Sequence, residues 1–351
     1  MKAVLGLEDG TVVRGEGFGA EGSCGGELVF TTQMTGYMES LTDPSYFGQI
    51  LMFTYPLIGN YGVDFENFQS SRVAAMGCVV DEVCKAPARR PTLAQFFEEQ
   101  GLFGIQGVDT RMLTIRLREQ GTMRAALLVG DDDGDRAVAM SRAIAPISQT
   151  DPIPHVTCAA PYRIAGSGKR IAVIDLGIKR NMIVSLQKKK ADLFVFPSST
   201  SAREIAACEP EALFISNGPG DPMMAKDAVA SISHFIGEIP VFGICMGIQT
   251  VALALGAETY KLKFGHRGAN QPVRYSDGRI FITTQNHGFC VNADTLPEGC
   301  RVNYTNVNDS TMEGFECTDL SILCVQFHPE AYGGPRDTES HFFEALFRRI
   351  P

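Results

Sequence analysis

The stretch Pro240–Ala257, PVFGICMGIQTVALALGA, decides how the chain is read. Val241–Ile244 is short and apolar enough for a buried strand, and the residues after Met246 follow a helical pattern. Between them stands Cys245, flanked by Gly243 and Gly247. Gly-x-Cys-x-Gly has the form of a nucleophile elbow with a thiol in place of the usual hydroxyl. Glycines let the backbone fold tightly there and keep side chains clear of a substrate. A cysteine at the first turn of a helix also meets the positive end of the dipole, which favours thiolate. Gln249, four residues on, shares a helix face with Cys245. Taken alone, the stretch is equally consistent with an inert buried cysteine in an apolar βα unit. A membrane span fits poorly, because the stretch carries three glycines, Gln249–Thr250 and a leading proline.

Strands and helices alternate on the upstream side of this stretch. Ile171–Asp175, Asp192–Phe196 and Ala212–Ser216 read as strands. Arg180–Lys190, Ala202–Cys208 and Ala225–Ile236 read as the helices between them. That alternation predicts a mainly parallel sheet flanked by helices, with function at the carboxyl ends of its strands. After Gly256 the pattern turns β-rich, with strands expected at Pro272–Tyr275, Ile280–Thr284, Arg301–Asn306, Thr311–Glu316 and Ser321–Phe327. A helix over Thr338–Arg349 closes the chain. Residues 1–150 are also β-rich, with strands expected at Thr11–Arg14, Glu27–Thr32 and Ile50–Tyr55. Helices are expected at Thr92–Gln100 and Asp109–Gln120. The acidic run at Asp131–Asp133 reads as an exposed turn. The Pro-, Ser- and Gly-rich stretch 151–169 reads as a linker, so the domains expected are 1–150 and 170–351.

Composition narrows the function classes. With 351 residues, 44% apolar and 20% charged, the chain is an ordinary globular protein of about two domains. A net charge of -9 argues against a nucleic-acid partner. The ten cysteines show no CxxC pair, so they read as reduced thiols in the cytoplasm, with no disulfide framework and no metal site. The N-terminus meets Glu8 and Asp9 before any apolar core of a signal peptide can form.

A thiolate nucleophile needs a base and a group to orient it. Among six histidines, His155 falls in the linker stretch, His234 and His341 fall in expected helices, and His266 falls in the basic loop KLKFGHRG. His287 in QNHGF and His328 in QFHPE each lie just past an apolar strand. Glu330, two residues beyond His328, can hold the imidazole tautomer, which favours His328 as base and leaves His287 to shape the pocket. The turn SNGPGD, Ser216–Asp221, can aim a backbone N–H at a developing oxyanion, and the Met246 amide can supply a second. Either feature by itself is also ordinary βα punctuation.

FGICMGIQ, SNGPGD and QFHPE, in this order and spacing, resemble the triad-type (class I) glutamine amidotransferase domain over residues 170–351. VFTTQMTGYMESLTDPSYFGQILMFTYPLIGNYG, Val29–Gly62, together with VDTRMLTIRLRE and QNHGF, is similar to the glutaminase small-subunit family of carbamoyl-phosphate synthetases. The resemblance then runs nearly end to end. It implies hydrolysis of glutamine at Cys245 through a γ-glutamyl thioester, with His328 relaying protons and Glu330 orienting it. Gly218 and Met246 would form the oxyanion hole. Gly220, Gln249, Asn286, Gly288 and Phe289 would hold glutamine, and Gln33 would reach it from the first domain. Ammonia would pass to a large subunit using ATP, Mg and bicarbonate, in a heterodimer serving pyrimidine or arginine synthesis. The chain carries no GxxxxGK[ST] loop, so no cofactor is expected in it. Two positions depart from the pattern. Gln33 stands where the family usually has Ser or Gly, and Ile248 stands where small subunits carry His. The alternatives are a stand-alone γ-glutamyl hydrolase, against which the first domain's motifs speak, and a scaffold subunit with weak or no catalysis.

Overall fold

The computed structural model describes every residue except Tyr332. The chain divides into two compact units, Met1–Thr150 and Asp151–Pro351.

In the first unit seven strands close into a barrel, in the order Lys2–Leu7, Val12–Gly19, Phe103–Gln106, Gly77–Val79, Gln49–Phe53, Gly22–Thr31, Met123–Val129. The expected strands at 11–14, 27–32 and 50–55 are all present with shifted ends. Closure itself depends on pairings between residues about a hundred positions apart, such as Leu5 with Leu127. Closing the sheet removes the unpaired edges that an open one would leave. The helix Leu93–Glu99 starts at a capping box, in which Thr92 accepts from Gln95 N and the Gln95 side chain bonds back to Thr92 N. Thr110–Gln120 is capped by Asp109, and Gly134–Ala143 by Asp133. The acidic run is therefore a helix start.

The second unit is built on a ten-stranded sheet. Its centre is five parallel strands, in the order Asp192–Pro197, Arg170–Asp175, Ala212–Ile215, Val241–Ile244, Ile322–Val325. These strands are buried almost throughout, as expected where helices cover both faces. Beyond Ile322–Val325 the sheet continues antiparallel through Met312–Cys317, Cys300–Asn306, Thr259–Tyr275 and Ile280–Val291. The last two strands are far longer than the expected 272–275 and 280–284, and together they form a long hairpin.

Two expectations are corrected. Residues 151–169 are not a free linker: Tyr162–Ile164 adds an antiparallel edge strand beside Asp192–Pro197, held by a bidentate Arg163–Asp192 ion pair at 2.9 Å. Ile153 from the same stretch is buried in the core. The cysteines are not all free thiols, because Cys300 and Cys317 sit opposite each other on paired strands and are joined by a disulfide. Cysteine spacing in the sequence could not show that two residues 17 apart face one another. Among the described residues, no helix is long and apolar enough to cross a membrane.

Candidate active site

Cys245 sits between the central strand Val241–Ile244 and the helix Met246–Ala254, with φ 58° and ψ −105°. A positive φ is uncommon for a residue bearing a side chain and costs on the order of 1–3 kcal/mol. The glycines make the turn possible. A Cβ on Gly243 would lie 2.6 Å from the Gly247 carbonyl carbon, and one on Gly247 would collide with the Ile215 carbonyl. The Cys245 amide donates to the Val325 carbonyl at 2.9 Å, which ties the turn to the adjacent parallel strand. The thiol is buried and lies 3.5 Å from the Asn286 carbonyl.

His328 follows the neighbouring strand Ile322–Val325, so both side chains arise at the carboxyl ends of adjacent strands. Its backbone N–H donates to the Thr284 carbonyl at 2.8 Å. Nδ1 lies 2.8 Å from Glu330 Oε1. That carboxylate oxygen also receives Lys179 Nζ at 2.7 Å, with all three side chains buried. Burial opposes ionisation of Glu330. Lys179 and His328 outweigh it and hold the carboxyl at about 2. An ionised Glu330 fixes the proton on His328 Nδ1 and leaves Nε2 as the basic nitrogen, a buried atom with no hydrogen-bond partner among the described residues. Lys179 was missed in the sequence. It lies just after the strand Arg170–Asp175, its backbone N–H donates to Asn217 Oδ1 at 3.1 Å, and only the fold brings its ammonium to Glu330.

The turn Ser216–Asp221 follows the strand next to Val241–Ile244 on its other side. Ser216 Oγ accepts from Leu176 N at 2.9 Å and donates to the Asn217 carbonyl at 2.7 Å. Gly218 packs so closely on Leu176 that a Cβ would strike its carbonyl, and Gly220 has φ +88°. Asp221 caps the short helix Pro222–Met224.

Asn286, Gly288 and Phe289 lie on the hairpin strand Ile280–Val291. The Gln249 amide donates to the Phe289 carbonyl at 2.9 Å and to Gln326 Oε1 at 3.1 Å. Gln249 thus ties the helix after Cys245 to the hairpin. His287 Nδ1 reaches the same carbonyl at 2.9 Å, and Nε2 lies 2.9 Å from Gln285 Oε1. Burial, followed by the charge of His266, pushes the His287 pKa well below its ordinary range. His266 is not in a basic loop. It is a buried residue on the strand Thr259–Tyr275, directly across from His287. Ile248 packs into the apolar core with Ile215 and Val251.

Gln33 belongs to the first unit, just past the strand Gly22–Thr31. It is buried. Its amide oxygen accepts from Ser40 Oγ at 3.1 Å, and its backbone N–H donates to Thr31 Oγ1 at 3.3 Å.

Comparison with known proteins assigns both halves. Residues 5–127 match the family described as carbamoyl-phosphate synthase small chain, CPSase domain, and residues 172–347 match glutamine amidotransferase class-I. The chain is 57% identical to the carbamoyl phosphate synthase small chain of Methanosarcina acetivorans, over 98% of this chain and 97% of that one. It is equally similar to the small chain of Methanosarcina mazei, at 57% over the same shares. Against the Archaeoglobus fulgidus small chain it is 46% identical, over 98% of this chain and 97% of the relative. With a strained cysteine elbow and a His–Glu pair on one class-I amidotransferase sheet, and a first domain that matches the small-chain model, the chain belongs to the carbamoyl-phosphate synthase small-chain family.

Proposed function

We propose that the chain is the glutaminase subunit of a glutamine-hydrolysing carbamoyl-phosphate synthase. The placement of Cys245 and of a His328–Glu330–Lys179 chain at the carboxyl ends of adjacent parallel strands carries this reading. His328 Nε2 takes the thiol proton, and the Cys245 thiolate attacks the side-chain amide carbon of glutamine. The new C–S bond leaves negative charge on the amide oxygen, which the Gly218 and Met246 amides stabilise. As the intermediate collapses, the C–N bond breaks and His328 returns its proton to the departing nitrogen, giving ammonia and a γ-glutamyl thioester. Water, deprotonated by the same Nε2, then hydrolyses the thioester to glutamate and regenerates the thiol. Glu330 stays ionised throughout and stabilises the imidazolium.

Gly220, Gln249, Asn286, Gly288 and Phe289 form the glutamine site in this reading. Gln249 acts mainly by fixing the hairpin against the elbow helix, since its amide nitrogen already has two acceptors. Gln33 is assigned a supporting place in the first unit. Ammonia goes to the large subunit, which uses ATP, Mg and bicarbonate to make carbamoyl phosphate for pyrimidine or arginine synthesis in the cytoplasm. The small chain supplies no cofactor. The test is covalent labelling of the purified complex with an electrophilic glutamine analogue. Modification of Cys245 that glutamine blocks supports the reading, and labelling without protection overturns it.

A further inference from the structure

Behind the hairpin strand that carries Asn286, Gly288 and Phe289 lies a group of charged side chains, buried except for Asp309, that the chemistry above does not use. His266 Nδ1 is 3.2 Å from Glu313 Oε1, and His266 Nε2 is 2.8 Å from Asp309 Oδ2. Glu313 is fully buried; its Oε1 also accepts from Asn306 Nδ2 at 3.0 Å, and its Oε2 has no partner among the described residues. The His266 and His287 rings stand perpendicular at 4.9 Å. Glu313 comes from the strand Met312–Cys317, so three strands converge here.

An imidazole with a carboxylate on each nitrogen is best satisfied with both nitrogens protonated. Burial opposes that charge on His266, but Asp309 and Glu313 overcome it and raise the pKa to about 9. The other titratable or charged groups interacting with this cluster include His287, Arg267, Tyr260 and Cys290, with His328 acting on His287 from the reactive side. Tyr260 and Cys290 are each pushed up to about 12 and stay neutral. Two imidazolium rings this close repel strongly in a buried site, so a charged His266 keeps His287 neutral. A neutral His287 has one N–H. The Phe289 carbonyl can only accept, whereas the Gln285 side-chain amide can turn its NH2 toward Nε2, so that proton sits on Nδ1. The same carbonyl accepts from Gln249, one helical turn beyond Cys245.

We propose that His266 is a positioning residue for the glutamine site. Held as an imidazolium between Asp309 and Glu313, it fixes the tautomer of His287 and so the Phe289 backbone on which the elbow helix and the hairpin meet. This rests on the glutaminase reading. The ligand atoms of His266, His287 and Glu313 also lie within 4.8 Å of one another, close enough for a metal ion to replace the proton. Two observations favour the proton. Asp309 and Glu313 take up both His266 nitrogens, and the inward nitrogen of His287 already meets Gln285.

The His266 contribution is present in full below its ordinary pKa and is lost as pH rises through about 9. The glutamine KM of the complex with the large subunit should therefore be flat near neutrality and rise on the alkaline side. His266→Gln should raise KM by about tenfold to a hundredfold and abolish that rise, with kcat within about threefold. Asp309→Asn changes a half-exposed partner and should leave the fold intact. It should move the alkaline rise about one pH unit lower. In the full-length chain, ¹⁵N spectra of histidine-labelled protein should show His266 protonated on both nitrogens and His287 on Nδ1 alone. A neutral or metal-bound His266 at neutral pH overturns the proposal, as does Asp309→Asn that moves neither KM nor its pH dependence. Absence of glutamine turnover in the unmodified complex removes the glutaminase reading itself, and this proposal with it, before any variant is made.

Discussion

The two halves of the second unit's sheet are built on different physical terms. The parallel centre is apolar on both faces, and its functional side chains sit where strands end, placed by local backbone features: the φ 58° turn at Cys245 and the close glycine contacts around it. The antiparallel extension places its polar groups inside, through bonds between residues far apart in the chain: His266 to Glu313, His266 to Asp309, Gln249 to Phe289. The comparison teaches a division of labour. In the proposed reading, reactivity is generated on the parallel side, and the shape of the site is held from the antiparallel side. The parallel side has a buried long-range polar link of the same kind in the ion pair of Glu330 with Lys179.

The largest expected effect tests the reactive side. Cys245→Ser preserves the elbow but substitutes a hydroxyl that His328 ionises poorly, so glutamine-dependent carbamoyl phosphate formation should fall by about three orders of magnitude or more. Synthesis from added ammonia should persist. Loss of both activities would instead assign the elbow a structural role. Next, His328→Asn should cost about 10²–10⁴ in kcat for glutamine hydrolysis, whereas His287→Asn should act mainly on KM. Steady-state assay of both variants decides this, and the opposite ranking would dissolve the division between the two halves.

A third test concerns the Glu330 link. Its carboxyl is held at about 2, so its stabilising contribution is complete above the ordinary carboxylate pKa and is lost as pH falls through about 2. Lys179→Met removes the larger of the two interactions that favour the ionised carboxyl and leaves a buried carboxylate with only the His328 imidazole as partner. The variant should lose about 3–5 kcal/mol of stability, measured by denaturant unfolding at neutral pH. Its acid-unfolding midpoint should also move to higher pH. An unchanged acid limb would mean that His328 alone holds the charge. The smallest effect is expected at Gln33. Its amide oxygen is already engaged by Ser40, so Gln33→Ser should cost about 0.5–1.5 kcal/mol of stability and shift the glutamine KM by no more than about twofold. A tenfold change in KM would put the side chain in the pocket.

The sequence alone determined the βα order of the second half, the elbow at Cys245 and the pairing of His328 with Glu330. Each depends on residues within a few positions of one another, where backbone geometry translates spacing directly into direction. The glycine at 243 is legible for the same reason, since it relieves a clash with Gly247 inside its own turn, whereas the glycine at 247 clears the Ile215 carbonyl of the neighbouring strand. Tertiary structure alone decided the barrel closure, the strand at Tyr162–Ile164, the disulfide between Cys300 and Cys317, Lys179 at Glu330, and His266 among carboxylates. In these cases the partner lies on another strand or turn, at a register that hydrophobic pattern does not encode. A lysine after a strand and a histidine between basic residues look solvent-exposed in the sequence, because what makes each tolerable in the interior is a carboxylate that arrives only when the sheet is assembled.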